Sequence, residues 1–528
     1  MSLVQKQTFL QGALILIIAN CFVKVIGAIF KIPLDNLIGA DGMGLFTVAY
    51  NLYSAMFVLS TAGLPVAVSR MVAESNAMGK AREVRSILRI SFAVFVGVGA
   101  VCAVGMFLGA GAFVRSIPNT RALYAVICAA PAIFFVAVMS VFRGYYQGLS
   151  NMIPTAVSQI IEAVCKLVLG YGFAYLVLHA GYGVEYAAAG AILGITMGSV
   201  FGSVFLVFRY KRTKPVLRDC NTECAGAYTI LRKLIGIAVP ITLGSAVLSI
   251  TNFIDMYVVL GRLQTIGFSE MLANTLYGAY SVKAVSLMSM PQTLITALSV
   301  SLIPAIASAY TTKLKQKAAD TSESALRITL LIAFPCAVGI GVMANPILSF
   351  LFHNTEEISI AAPLLRMLSP AIVLIALVSV TNAILQAVGK ERVAVFSMLA
   401  GGAVKLIVNY TLIGMPDINI SGAPIGTVAC YLTIAVINFI VLKNRTEVFP
   451  KRWFSLLKPG IAAGLMGVFA FVCSNMLSGL FGNTSVLLLT ILLSAPLYLV
   501  LMLLLRGVYK EDILMLPKGE KFADILHL

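Results

Sequence analysis

Apolar residues in this chain run in blocks of about 20, among them Phe9–Phe30, Ile87–Gly109, Ala122–Phe142, Ala188–Phe208, Ile328–Phe352 and Val486–Leu505. That is the length of helix that crosses a hydrocarbon core. Composition agrees, since 60% of the 528 residues are apolar and only 11% charged. So few charges cannot build a water-facing surface for a chain of this size. The expected fold class is therefore all-α, a polytopic membrane protein.

Hydropathy places fourteen transmembrane helices, from 9–30 at the start to 484–506 at the end. The eighth, 274–308, is too long for one straight span and holds Pro291 and Pro304, so a kink or an interfacial extension is expected there. Only Lys6 precedes the first span, which reads as a retained signal anchor. Most of the 38 Lys and Arg fall in alternate loops, with clusters at Arg70–Arg89, Arg209–Lys233 and Lys443–Lys458. The opposite ends hold Lys31, Arg115, Arg121, Arg262 and Arg366. This asymmetry puts both termini in the cytoplasm. It also accounts for the net charge of +17 through topology and anionic lipid headgroups, with no nucleic-acid partner.

Enzyme chemistry finds no foothold. Seven of the nine cysteines lie inside spans as small hydrophobes, and Cys220 and Cys224 share a polar cytoplasmic loop. His179, His353 and His527 are scattered, so neither a metal centre nor a catalytic dyad assembles, and no cofactor is expected. There is no phosphate-binding Gly-x4-Gly-Lys-Ser/Thr loop.

Setting residue i against i+239 exposes a duplication. Leu64-Pro65 meets Ile303-Pro304, Gln147 meets Gln386, and Lys166 meets Lys405. With a small shift, Gly190–Gly194 matches Gly422–Gly426. The expected organisation is two six-helix repeats, 1–230 and 231–445, followed by two additional helices and a cytoplasmic tail in 446–528. Six spans per half give the halves the same orientation, with a substrate site expected where they meet.

Charges inside spans are costly and need a partner or a hydrated cavity. They are Lys24, Glu162, Lys166, Asp255, Lys283 and Lys405, with Lys31 at a helix end. Glu162 and Lys166, four residues apart, share a helix face and read as a neutralised pair, or as part of an ion-coupling set with Asp255 and Lys405. Asp255 either pairs with a lysine or binds a coupling cation. Lys24 and Lys283 have no acid at helical spacing, which leaves an interhelical partner or a cationic cavity for an anionic substrate. A phosphate or diphosphate suits such ammonium groups. Asn20 and Asn51, with Asn252 and Gln292, would line the same hydrated space.

The stretch Asn20-Cys-Phe-Val-Lys24-Val-Ile-Gly-Ala-Ile-Phe-Lys31-Ile-Pro resembles the first-helix signature of the stage V sporulation protein B family. Gly39-Ala-Asp-Gly-Met-Gly, Gly63-Leu-Pro-Val-Ala-Val-Ser, Tyr277–Lys283 and Leu302–Ser308 extend the likeness. That family sits with MurJ-type flippases in the multidrug/oligosaccharidyl-lipid/polysaccharide exporter superfamily. The resemblance implies V-shaped lobes, alternating access and an undecaprenyl-diphosphate-linked saccharide as cargo, moved across a bacterial cytoplasmic membrane. It also implies substrate-binding roles for Lys24, Lys31 and Lys283, and a lipid-tail groove in the last two helices. MurJ-type proteins carry arginine at these basic positions, and lysine lacks the bidentate fork. Membrane lipids and cell-wall synthesis enzymes are the expected partners of a monomer. The rival readings are a cation-coupled multidrug exporter and a non-transporting scaffold for envelope or spore-cortex assembly.

Overall fold

The computed structural model describes residues 9–61, 63–117, 119–212, 225–292, 295, 306, 315–445, 453–477 and 483–507. Among them the regular structure is helical. In chain order the helices are α1 (Phe9–Thr61), α2 (Leu64–Ala77), α3 (Ala81–Ser116), α4 (Leu123–Gly148), α5 (Ile153–His179), α6 (Val184–Arg212), α7 (Ala227–Thr265) and α8 (Glu270–Gly278). There follow α9 (Lys315–Val342), α10 (Ala344–Leu351), α11 (Thr355–Ala387), α12 (Glu391–Ile413), α13 (Gly422–Arg445), α14 (Trp453–Leu477) and α15 (Asn483–Leu504).

Eleven stretches among the described residues are long and apolar enough to cross a membrane. They account for twelve of the expected spans, because the first two share the stretch Ile18–Asn76. The seventh span corresponds to α7, and the eighth runs partly into residues outside the described set. Outer faces are apolar: Val101, Leu108, Leu176, Val468, Leu492 and Leu504 are all exposed. In the second half of α3 the buried positions include the small Gly99, Ala103 and Ala110 beside Met106, with Val104, Phe107 and Leu108 outward. Lipid tails solvate such outward side chains as well as a core does, so close packing of small residues holds the helices together.

The join between the first two spans is a single residue. Gly39 has φ 68°, which breaks the helical path of α1 at the Gly39-Ala-Asp-Gly sequence. A second break follows Thr61, and α2 restarts with Pro65 in its first turn, where the missing N–H costs nothing. The polar segment Arg70–Arg89 is helical on both sides of a turn at Gly79.

The chain divides into two compact units, Met1–Gly278 and Ala279–Leu528. In the first, α6 lies closely on α5. A Cβ added at Gly190 would sit 3.1 Å from the Phe173 carbonyl carbon and 3.2 Å from the Ala174 nitrogen. In the second unit, α13 lies on α12 in the same register. A Cβ at Gly422 would sit 2.9 Å from Leu412 and 3.0 Å from the Ile413 nitrogen. Leu412 and Ile413 are the residues 239 positions beyond Phe173 and Ala174. The next glycines repeat the match, with Gly194 against Gly170 and Gly426 against its counterpart Asn409. The duplication seen in sequence is thus also a duplicated helix crossing.

Helices α7 and α8, which the repeat assigns to the second half, fall in the first compact unit. The Gly63 N–H donates to Thr242 Oγ1 (3.0 Å), Lys233 pairs with Glu74 (2.6 Å), and Asn119 donates to Asn274 (2.7 Å). The second unit opens on a π-helical turn, Ala279–Ala284, and continues as helix to residue 292. The irregularity expected at the prolines of this span therefore begins ahead of Pro291, and Pro304 lies outside the described residues. In the same unit α14 and α15 pack on α9. Ala462, Ala463, Met466, Tyr498 and Met502 form the buried seam, and the Tyr498 hydroxyl donates to the Leu331 carbonyl (2.9 Å).

Candidate functional site

In the first unit a cavity of about 290 Å³ opens among α1, α4, α5 and α6. Its walls carry Arg143, Gln159, Glu162, Lys166, Tyr50, Tyr53 and Ser54. Arg143 belongs to α4 and reaches across to α5. It donates to Glu162 Oε2 (2.9 Å) and to Ser158 Oγ (2.9 Å), and Ser158 passes its own proton to the Thr155 carbonyl (2.8 Å). Glu162 is therefore neutralised by Arg143 rather than by Lys166, four residues along its own helix. The Lys166 ammonium lies over the rings of Phe30 (5.1 Å) and Tyr50 (5.0 Å), a cation–π arrangement. Phe46, Tyr50, Tyr53 and Phe57 continue the aromatic strip along α1 at centroid spacings of 5.9–6.0 Å.

Arg143 directly follows the apolar block Ala122–Phe142, where a hydropathy reading ends the span. The helix instead runs to Gly148. The 239-residue offset carried a usable signal. It maps Arg143 to Asn382 and Glu162 to Gly401, whereas Lys166 maps to Lys405. The ion pair thus belongs to the first repeat alone. In the second, Asn438 donates to Asn382 (2.8 Å) and Thr381 (3.0 Å), a neutral cluster at the equivalent level.

Lys24 and Asn20 lie on exposed positions of α1, and Lys31 is half-buried. Asn51 donates to the Tyr277 hydroxyl at 3.1 Å. Asp255 is buried in α7, Lys405 is half-buried in α12, and Asn252 is exposed. Near the Gly39 break, Arg121 grips Asp41 with two guanidinium nitrogens (2.9 and 3.0 Å) and Glu185 with the third (3.1 Å). Glu270 accepts from the Arg121 backbone N–H (3.2 Å) and the Thr120 hydroxyl (3.3 Å). Loop-end charges of this kind are invisible to a reading of spans, because the four partners are far apart in the chain.

Lys283 belongs to the second unit. It is fully buried in the π-helical turn, pairs with Glu357 at 2.7 Å, and lies 4.5 Å from the Phe352 ring centroid. The structure thus supplies the interhelical partner that was one of its two readings. Glu357 lies in the polar first turn of α11, ahead of the apolar run, where the helix begins at Thr355 capped by the Asn354 side chain. The same unit holds an apolar groove of about 560 Å³ between α9, α14 and α15, with Pro335, Ile340, Met466, Ala470, Ile491 and Leu499 among its walls. Among the described residues no cluster of His, Cys, Asp and Glu is arranged to hold a metal ion.

The polysaccharide biosynthesis protein family model matches residues 9–310, more than half of the chain, and the MatE model matches residues 240–411. Stage V sporulation protein B of Bacillus subtilis (strain 168) is 27% identical over 519 residues, covering 97% of this chain and 98% of its own. The lipid II flippase MurJ of the same organism is 25% identical over 485 residues, covering 87% of each chain. Among solved structures, a lipid II flippase MurJ in an inward closed conformation superposes with a TM-score of 0.70 at 13% identity, over 92% of this chain and 97% of that one. An inward-facing MATE family multidrug resistance transporter gives a TM-score of 0.60 at 18% identity, over 79% of this chain. The fold is that of these transporters.

Proposed function

We propose a flippase function for this chain, which belongs to the polysaccharide biosynthesis protein family. Its cargo is a lipid-linked saccharide, specifically an undecaprenyl-diphosphate-linked cell-wall or polysaccharide precursor. Transport runs from the cytoplasmic to the outer leaflet by alternating access, without an enzymatic step. The observation that carries this reading is the apolar groove formed with the last two helices. Such a groove suits an isoprenoid tail, since its walls offer few polar groups and open toward lipid-facing surfaces. A soluble drug has no need of it, and the likeness to the MurJ structure extends over more of the chain than the likeness to the MATE structure.

In this reading Lys24, exposed on α1, meets the diphosphate, with Lys31 and the neutral Asn20 within two turns of it and Asn51 beyond the Gly39 break. Lys283, already paired with Glu357, holds the π-helical turn. Both termini lie in the cytoplasm, and the protein acts as a monomer in the bacterial cytoplasmic membrane. The MatE match favours one second reading, a cation-coupled drug exporter with Glu162 or Asp255 as the coupling acid.

Complementation separates the two. A bacterium depleted of its lipid II flippase and expressing this chain should regain lipid II at its outer surface, measured by surface labelling. Lys24→Ala should abolish that gain at unchanged membrane abundance. Exposure that stays at the depleted level, with the chain present in the membrane and drug efflux raised, would favour the exporter.

A further inference from the structure

The cavity of the first unit carries an unbalanced charge. Arg143 and Lys166 face one carboxylate, Glu162, and Arg143 already satisfies it at 2.9 Å. The Lys166 ammonium forms no close ion pair among the described residues and lies over the rings of Phe30 and Tyr50, with Glu162 acting on it only at longer range. A charge held among membrane helices calls for a counter-charge or water. Gln159, two turns before Lys166 on the same helix wall, has a buried Oε1 without a hydrogen-bond partner. That atom calls for a donor. A ligand that answers all three features carries one negative charge, a hydroxyl that donates, and a C–H face that lies on an aromatic ring.

We propose that this cavity receives one carboxylate-bearing sugar ring of the transported saccharide. The carboxylate lies against Lys166, a ring hydroxyl donates to Gln159 Oε1, and the ring stacks on Tyr50. The cavity volume of about 290 Å³ is at the small end of ligand pockets, which suits a single ring. The Arg143–Glu162 pair closes the wall, with both Glu162 and the ammonium among its lining groups. This assignment rests on the flippase reading for the source of the sugar, and names the class of cargo that the reading leaves open.

Saturation-transfer NMR on the full chain in lipid nanodiscs tests it, with glucuronate and glucose as probes. The wild type should bind glucuronate about tenfold or more tightly than glucose, as expected for one charge-assisted contact. Lys166→Gln should erase that preference, Lys166→Arg should keep it, and Gln159→Ala should weaken both sugars alike. Equal binding of the two sugars by the wild type would overturn the proposal. So would an undiminished preference in Lys166→Gln, or displacement of glucuronate by millimolar chloride, which would make the site one for small inorganic anions. Wild-type melting in Lys166→Arg controls for folding. Transport is read separately. A chain that flips lipid-linked saccharide without preferring glucuronate sinks this inference alone, and one that prefers glucuronate through Lys166 without flipping sinks the flippase reading alone.

Discussion

Two lysines within the helices of this chain, one buried and one half-buried, solve the same electrostatic problem differently. Lys283 takes a carboxylate from another helix, and Lys166 takes two aromatic faces. Removing one partner of a buried pair leaves the other charge stranded, at a cost of roughly 3–5 kcal/mol. Lys283→Ala should therefore lower the melting temperature of the detergent-solubilised protein sharply. Lys283→Met combined with Glu357→Leu should recover most of the loss, and a double variant as unstable as the single one would argue against the pair. Lys24→Ala, on an exposed position, should leave melting unchanged. The sequence disclosed Lys24, Asp255, Lys283 and Lys405 within spans, because each is a lone charge in an apolar run. It did not disclose their partners. Arg143 and Glu357 sit at polar stretches near helix ends, and hydropathy windows lose helix ends that are polar on one side.

Among elements, the α5–α6 and α12–α13 crossings depend on glycines at matched positions. Branched side chains at Gly194 or Gly426 would push into backbone or a buried amide on the facing helix. Gly194→Val and Gly426→Val should each destabilise by roughly 1–3 kcal/mol or more, read as loss of monodisperse protein on size exclusion. Gly97→Val, where the added Cβ meets open space, should not. The repeated Gly-x3-Gly spacing was legible in the sequence as a mark of the duplication, whereas the facing helix at each glycine emerges only from the packing. The breaks were legible only in part. Gly39 stands in a glycine-rich join that signals a turn, whereas the π-helical turn at Ala279–Ala284 has no local sequence mark. It is stabilised by long-range bonds such as Tyr280 to Thr427 (3.0 Å) and the Lys283 pair.

For the whole molecule, hydrophobic block length and the placement of basic residues settle the class, and the duplication describes how it was built. Grouping by packing follows another rule: α7 and α8 join the first compact unit through contacts at Gly63, Glu74, Asn119 and Glu270. If the apolar groove guides an isoprenoid tail, filling it should slow transport without unfolding the protein. Ala495→Trp, on the groove wall, should reduce the flipping rate severalfold at unchanged abundance. The central claim is that this chain alone moves a lipid-linked saccharide between leaflets. Purified protein reconstituted in liposomes with fluorescent undecaprenyl-diphosphate-linked saccharides, lipid II and a uronate-bearing one, tests it through the fraction of either label open to an external quencher. Beyond the outward-facing half accessible in protein-free liposomes, quenching should rise toward completion with wild-type protein and remain at half with Lys24→Ala. Folded wild-type protein that leaves quenching of both labels at half would contradict the account.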